Sequence, residues 1–274
     1  MPWTVDGLVA GVHKLLYSTT YKPPMLPRAA LAVMELTRRY DVPFTHIVKA
    51  VESDPVFTAT VLRVANSPVY NTRVPATSIE QALTRMGLRQ FSDLCLESAM
   101  SGRVFRSPTL AEPMEQVRRH SSAVAHISRI IAQSMGEMGA KAFGRGLLHD
   151  VGIAIGILAA TTPGLFTSVT YADAWPVIYA AHTTIGRMLL DAWKLDPELR
   201  CAVEDHEASK IEKKEVAILV LANEIADELG FGVPPLGVGV AKSRPAAAAV
   251  ETLGLTARDL VEGRELAKSI VNGI

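Results

Sequence analysis

The sequence predicts an all-α protein. Ala, Leu, Val and Met recur at helical spacing along almost the whole chain, and no convincing run of alternating apolar and polar residues predicts a strand. The 274 residues are 49% hydrophobic, which is enough apolar material for one large core or for two smaller lobes. We therefore expect helices only, arranged in two lobes.

The stretch Val56–Val64 is rich in β-branched residues, but the residues around it favour a helix. Asp54 is a natural N-cap, and Pro55 suits the first helical position because an N–H there would have no partner. Asn66 tolerates the left-handed cap conformation, and the Ser-Pro pair after it cannot continue a helix. We predict a helix that begins after Asp54 and ends at Asn66.

Capping motifs, glycine and proline punctuate the rest of the chain. Thr77 and Glu80 have the spacing of a capping box, and Gly87 interrupts the helix that follows. The pairs at 107–108 and 112–113 each contain proline and mark a boundary between lobes. Further helices are predicted near 114–135, 140–160, 173–193, 196–208 and 213–229, then a Gly/Pro-rich linker at 231–236 and a last helix that starts at the capping box of Thr256 and Asp259. The predicted units are therefore an N-terminal lobe (1–110), a second lobe (111–230), and a linker with a helix that packs on the second lobe (231–274).

Composition and charge exclude several classes of function. The formal net charge is zero, which argues against general nucleic-acid binding. The two cysteines, Cys95 and Cys201, lie in apolar helical contexts, which fits a reducing cytoplasm rather than a disulfide framework. No signal-peptide pattern begins the chain, and the longest apolar run, Val151–Ala160, is too short and glycine-interrupted to span a bilayer. We expect a soluble, cytoplasmic protein that does not bind membranes.

Six polar residues occupy positions that helical periodicity assigns to the core, or lie in a glycine-flanked apolar run. They are His120, His149, Asp150, His182, His206 and Asn223. Burying one such group without a partner costs about 1–3 kcal/mol, so a set of them in consecutive helices is informative. Imidazole and carboxylate form a ligand set for Zn, Mn or Fe, and one helical bundle would bring them together. The alternative is a closed, metal-free polar network.

The segment at 146–152, Gly-Leu-Leu-His-Asp-Val-Gly, resembles the signature of the HD superfamily of metal-dependent phosphohydrolases. The superfamily order is a first His, a His-Asp pair and a distant Asp. His120 matches the first His and His149-Asp150 matches the pair, while Asn223 stands where the distant Asp would be. The resemblance thus implies an HD-type metal site in the second lobe.

Several further stretches resemble the HD-GYP branch and the HDOD family. His182 and Asp205-His206 resemble the additional His and the His-His pair of HD-GYP proteins, which cleave cyclic di-GMP. The segments at 23–27, 51–67 and 77–87 resemble successive motifs of HDOD domains, in the family's order. HDOD domains are similar to HD phosphohydrolases in fold but are generally non-catalytic parts of bacterial signalling proteins. This resemblance covers residues 21–225 and implies a two-lobed helical fold whose C-terminal lobe is an HD-like bundle.

The sequence departs from the catalytic pattern at several positions. Asn223 is neutral, Ile153 stands where active HD-GYP enzymes carry Lys, and Asp205 replaces the first His of the pair. No Gly-Tyr-Pro motif follows Glu207. Each change weakens metal-activated hydrolysis, which requires a charged metal site and a cation for the phosphate.

We therefore predict a non-catalytic regulator or scaffold of bacterial signal transduction that acts by binding signalling proteins. No cofactor is expected, although the six polar residues form a vestigial site for Fe, Mn or Zn if the HD site is retained. One alternative is a metal-dependent phosphohydrolase or phosphodiesterase that uses His120, His149 and Asp150. A second alternative is a sensor that binds a cyclic dinucleotide without cleaving it.

Overall fold

A computed structural model describes residues 3–17, 26–37, 39, 41–70, 74–137, 139–166, 170–195, 197–208, 210–233 and 246–271. Every regular element within these ranges is helical, as predicted. The α-helices are α1 (Val5–Leu16), α2 (Arg28–Leu36), α3 (Phe44–Glu52), α4 (Pro55–Ala65), α5 (Ile79–Arg103), α6 (Ala111–Ser134), α7 (Gly139–Leu148), α8 (Val151–Ala160), α9 (Tyr171–Ala192), α10 (Pro197–Asp205), α11 (Lys214–Ala226), α12 (Ala246–Leu253) and α13 (Ala257–Val271). A 3₁₀ turn (Pro68–Tyr70) follows α4, and a π-helical segment (Asp227–Phe231), called the π segment below, follows α11.

The chain divides into two compact units. The larger unit falls within Met1–Pro23 and Phe105–Ser269, and the smaller unit falls within Pro24–Val104 and Ile270–Ile274. In the larger unit α1 packs against α8 and α9, a long-range contact that the amphipathic pattern of α1 does not specify. The lobe boundaries drawn from the sequence, 1–110, 111–230 and 231–274, remain predictions.

In the smaller unit, α4 begins and ends as predicted. The Asp54 carboxylate accepts hydrogen bonds of 3.0 Å from the backbone N–H groups of Val56 and Phe57, which satisfies two of the unpaired donors of the first turn. Asn66 is the C-cap, but its backbone is not left-handed (φ −93°). Its amide instead pairs with both backbone groups of Ala76, at 3.0 Å and 2.7 Å, and ties the helix end to the following loop.

The start of α5 corrects one prediction by a single residue. The N-cap is Ser78, whose hydroxyl accepts the Gln81 N–H, and the Gln81 side chain accepts the Thr77 N–H in return. The capping box is therefore Ser78 with Gln81, not Thr77 with Glu80, because glutamine serves at the third helical position as well as glutamate does. Gly87 adopts φ 74° inside α5 and interrupts it, as predicted.

In the larger unit, the segment predicted as one helix near 140–160 is two helices. The chain breaks at His149 and Asp150, which form the turn between α7 and α8. By length and composition Lys141–Ala160 would suffice to cross a membrane, but 89% of its apolar window is buried inside the protein, as in the core of a soluble domain. The break and the burial together identify α7 and α8 as core helices.

The remaining segments agree with the predicted order. The helices predicted near 114–135, 173–193, 196–208 and 213–229 are α6, α9, α10 and α11, and the predicted box of Thr256 and Asp259 caps α13 with a 2.8 Å bond from the Thr256 N–H. The predicted linker at 231–236 begins in the π segment, and its residues from 234 onward lie outside the described ranges. The same holds for residues 23–25 of the first HDOD-like motif.

Candidate metal centre

Five of the six predicted site residues meet inside the larger unit. They are His120 on α6, His149 and Asp150 in the turn between α7 and α8, His182 on α9, and His206 directly after α10. None of them is more than 6% exposed. The break between α7 and α8 is what turns two sequence neighbours, His149 and Asp150, inward together.

The Asp150 carboxylate is the centre of this cluster. Its Oδ2 lies 3.3 Å from Nε2 of His120 and 3.3 Å from Nε2 of His149. Its Oδ1 lies 3.4 Å from Nε2 of His182 and 3.4 Å from Nε2 of His206. One carboxylate therefore joins two groups: the first triad, which is His120, His149 and Asp150, and the second triad, which is Asp150, His182 and His206.

Backbone carbonyls determine how all four rings are oriented. Each Nδ1 atom lies within hydrogen-bonding distance of a carbonyl oxygen, and a carbonyl only accepts. Nδ1 therefore carries the proton, and Nε2 of each neutral ring presents a lone pair. The partners are Phe231 for His120 (2.9 Å), Gly146 for His149 (2.8 Å), Tyr179 for His182 and Val203 for His206 (2.7 Å).

The Nε2 atoms face one another in pairs. His120 and His149 are 3.2 Å apart through these atoms, and His182 and His206 are 3.1 Å apart. Two lone pairs at this distance repel unless a proton or a cation lies between them. Two ligands placed about 2.1 Å from a tetrahedral cation lie about 3.4 Å apart. The separations in both triads fit a shared cation, and imidazole with carboxylate suits Zn, Fe or Mn.

The surroundings keep the Asp150 carboxylate charged. In the absence of a cation, protons on the Nε2 atoms let His120, His149 and His206 donate hydrogen bonds to Asp150. The charge of His149 and these hydrogen bonds then outweigh burial, which alone raises the pKa of Asp150, and hold that pKa well below its usual value. Asp150 also occupies the N-cap position of α8 without capping it, so the carboxylate faces the imidazoles while the helix dipole favours its charge. Burial has the opposite effect on an imidazole: it lowers the pKa of His182, and this effect exceeds the rise caused by the charge of Asp150.

Asn223, the sixth candidate, is buried on α11, which packs against α6. Its Oδ1 has no hydrogen-bond partner, and within the described ranges no hydrogen bond joins its side chain to the other five residues. Asp205 forms an exposed ion pair with Lys213 at 2.9 Å. Ile153 is 1% exposed and belongs to the apolar core.

Four neighbours of the cluster were not singled out as site residues from the sequence. One of them is Asp227, whose Oδ1 lies 3.8 Å from Nδ1 of His120. The π segment supplies the carbonyl of Phe231 to His120, with the Arg119 guanidinium 5.2 Å from the centre of the Phe231 ring. Glu207 and Tyr179 border the second triad. The position of Glu207 directly after His206 could have indicated it as a site residue. The Phe231 carbonyl could not be predicted, because every residue type has a backbone carbonyl.

The family of the chain is shown by comparison with known domains. A model of the HDOD domain matches residues 24–209. The chain belongs to the HDOD domain family. This match includes both triads, while Asn223 and the π segment lie beyond it. No curated protein matches the sequence at a significant level.

Solved structures support the HDOD fold over nearly the whole chain. A proposed metal-dependent phosphohydrolase from Shewanella amazonensis has a TM-score of 0.68 and 23% identity, and the match covers 97% of this chain and 99% of that one. An HDOD domain protein of unknown function from Geobacter sulfurreducens has a TM-score of 0.66 and 20% identity, with 97% and 99% covered. A proposed signal transduction protein from Marinobacter aquaeolei has a TM-score of 0.68 and 19% identity, with 98% of this chain but 63% of that protein covered. At these identities the likeness concerns the fold.

Proposed function

We propose that this HDOD protein is a signal-transduction component that holds divalent transition metal in its larger unit and acts by binding partner proteins, without hydrolysing phosphoesters. The observation that carries the metal assignment is the convergence of four Nε2 lone pairs on the Asp150 carboxylate. Up to two cations would be held, one by each triad. Bound metal would act there as a Lewis acid toward water or phosphate oxygens.

Metal also resolves an electrostatic difficulty inside the cluster. Without a cation, each pair of Nε2 atoms needs an extra proton, so two imidazolium charges would be buried around one carboxylate. Isolated buried charges cost several kcal/mol each unless they are fully paired. Cations coordinated by neutral rings remove the repulsion between lone pairs and use the ring orientation that the backbone already enforces.

Three features argue against turnover. The five cluster residues are at most 6% exposed, so the described surface offers a phosphoester little access to them. Ile153 stands where active HD-GYP enzymes carry Lys, and it is buried in the apolar core. Asn223 is neutral, which lowers the charge available to hold metal and to activate water.

The test combines metal analysis with hydrolysis assays on the purified protein. The protein is incubated with Zn, Mn or Fe, desalted, and analysed for its metal-to-protein ratio. The same samples are then given phosphomonoesters, linear phosphodiesters and cyclic dinucleotides. We expect near-stoichiometric metal and no product above the metal-only background. Turnover that disappears in Asp150→Asn would overturn the non-catalytic assignment, and a protein that is folded but free of metal would overturn the metal assignment.

One observation favours the second candidate, a metal-dependent phosphohydrolase. Each triad offers three protein ligands, and catalytic sites keep an open position for water or substrate in this way. This candidate requires the cluster to become accessible. It predicts product formation that rises with metal occupancy and is lost in His120→Ala as well as in Asp150→Asn.

A further inference from the structure

A second acidic residue borders the second triad. Glu207 directly follows His206, and its Oε1 lies 3.8 Å from Nε2 of His206, the same atom that faces Asp150. Glu207 is therefore close to the His206 ring, on the side of the second triad, whose central carboxylate is Asp150.

Tyr179 links Glu207 to the His182 ring of the same triad. Its hydroxyl donates to Oε1 of Glu207 at 3.0 Å, and its ring stacks on the His182 ring with centroids 5.0 Å apart. Its backbone carbonyl accepts the Nδ1 proton of His182. One residue of α9 thus orients His182 and holds the Glu207 carboxylate at the edge of the triad.

Glu207 differs from an ordinary surface glutamate in its partners. Glu204, one turn earlier, forms a 2.6 Å ion pair with Arg187 and is 42% exposed in its side chain. No Lys or Arg of the described ranges forms an ion pair with Glu207, whose polar neighbours there are a tyrosine hydroxyl and a cluster histidine. Its side chain is 35% exposed, so it has rotational freedom that the buried ligands lack.

We propose that Glu207 is a further metal ligand, which completes the second triad as a set of two histidines and two carboxylates, with Tyr179 as the residue that positions it. This inference rests on the proposed metal centre. Two divalent cations around a single carboxylate leave a large positive excess, and a second carboxylate reduces it. Four protein ligands are typical of closed, structural sites, whereas three are typical of open ones. The two triads are thus unequal: the second holds its metal structurally, and the first keeps an open position.

The test is a metal titration of the full chain with Zn²⁺ against a chelating dye, repeated with Co²⁺ to record the visible spectrum. We compare the wild type with Glu207→Gln, with Tyr179→Phe and with the matched control Glu204→Gln. Glu207→Gln should weaken one metal equivalent at least about 10-fold, leave the other unchanged, and reduce the visible bands of tetrahedral Co²⁺. Tyr179→Phe should produce a smaller loss at the same equivalent, and Glu204→Gln should match the wild type.

The outcomes distinguish failure of the Glu207 assignment from failure of the metal centre itself. If the wild type binds metal and Glu207→Gln binds every equivalent with unchanged affinity and spectrum, the assignment of Glu207 is wrong while the metal centre stands. If Glu204→Gln weakens binding as much as Glu207→Gln does, the effect is general surface charge and the assignment is again wrong. If the folded wild type takes up no metal, the metal centre itself fails, and the role of Glu207 fails with it.

Discussion

The Nε2 atoms of His120 and His149 face each other at 3.2 Å, while the Nδ1 atoms of both rings lie against backbone carbonyls. The carbonyls belong to Phe231 and Gly146, so the main chain sets the orientation of both rings. The same arrangement recurs at His182 and His206. The cluster is therefore organised in advance of any ligand, which is the condition for tight metal binding.

Because Asp150 contacts all four rings, its replacement should weaken metal binding at both triads. Replacement of one histidine should weaken metal binding only at the triad to which that histidine belongs. We expect Asp150→Asn to weaken both metal equivalents by more than about 100-fold, and His120→Ala to remove only one. Metal-to-protein ratios after desalting, with circular dichroism as a check on folding, measure this. Asp6→Asn, on the exposed face of α1, is the control. Retention of both equivalents in Asp150→Asn would contradict the shared-carboxylate geometry.

The stability of the metal-free protein should decrease as the solution becomes acidic. The pKa of His182 lies below its ordinary value of 6.5 and that of Asp150 lies well below 3.8, so the unfolded chain binds more protons than the folded one in both ranges. The free energy of unfolding therefore falls as the pH drops below 6.5, and falls again below 3.8. Thermal melts between pH 7 and pH 5 measure the first range.

His182→Asn should flatten the pH dependence of Tm between pH 7 and pH 5, because the substituted side chain does not titrate. A wild-type Tm that increases on acidification over this range would show that His182 gains a proton on folding, which is the reverse of the expected proton linkage.

Close packing between α8 and α9 should make Gly152 irreplaceable. A Cβ atom at this position would lie 1.9 Å from the backbone oxygen of His182, whereas at Gly156 it would meet the movable side chain of Ile178 at 2.8 Å. We expect Gly152→Ala to lower the free energy of unfolding by about 3 kcal/mol or more, and Gly156→Ala by about 1 kcal/mol. Urea denaturation of both variants measures the difference, and equal effects would contradict the backbone contact.

Gly152→Ala should also weaken metal binding if it remains folded, because separation of α8 from α9 moves His182 away from Asp150. Zn²⁺ titration of the folded fraction is the measurement, and Gly156→Ala is the comparison variant.

The amide of Asn66 should contribute to the stability of the smaller unit through its two bonds to Ala76. We expect Asn66→Ala to cost about 1–3 kcal/mol, because both backbone groups of Ala76 lose their partner. Ser53→Ala, which removes an exposed bond to the Ala50 carbonyl, should cost less than about 1 kcal/mol. Chemical denaturation curves measure both, and a loss at Ser53 that equals the loss at Asn66 would argue against the bridging role.

Local signals predicted helix boundaries well where one or two residues decide them. Asp54 caps α4 because its carboxylate accepts hydrogen bonds from backbone N–H groups two and three residues later. Gly87 interrupts α5 because its positive φ breaks the helix at that residue. The capping box of α5 was displaced by one residue because Ser78 with Gln81 satisfies the same rule. The break at His149 and Asp150 was missed, because the apolar run on both sides reads as one continuous helix.

The sequence by itself determined that the chain is helical, that it resembles the HDOD family, and that polar residues stand in core positions. Each conclusion depends on periodicity, on short capping patterns or on residue order, all of which are local. Only the tertiary structure decided that His120, His149, Asp150, His182 and His206 share one centre. It also decided that, in the described part of the chain, no hydrogen bond joins Asn223 to them. It also revealed the Phe231 carbonyl and Tyr179, because the directions of side chains and of carbonyl groups depend on how distant helices pack.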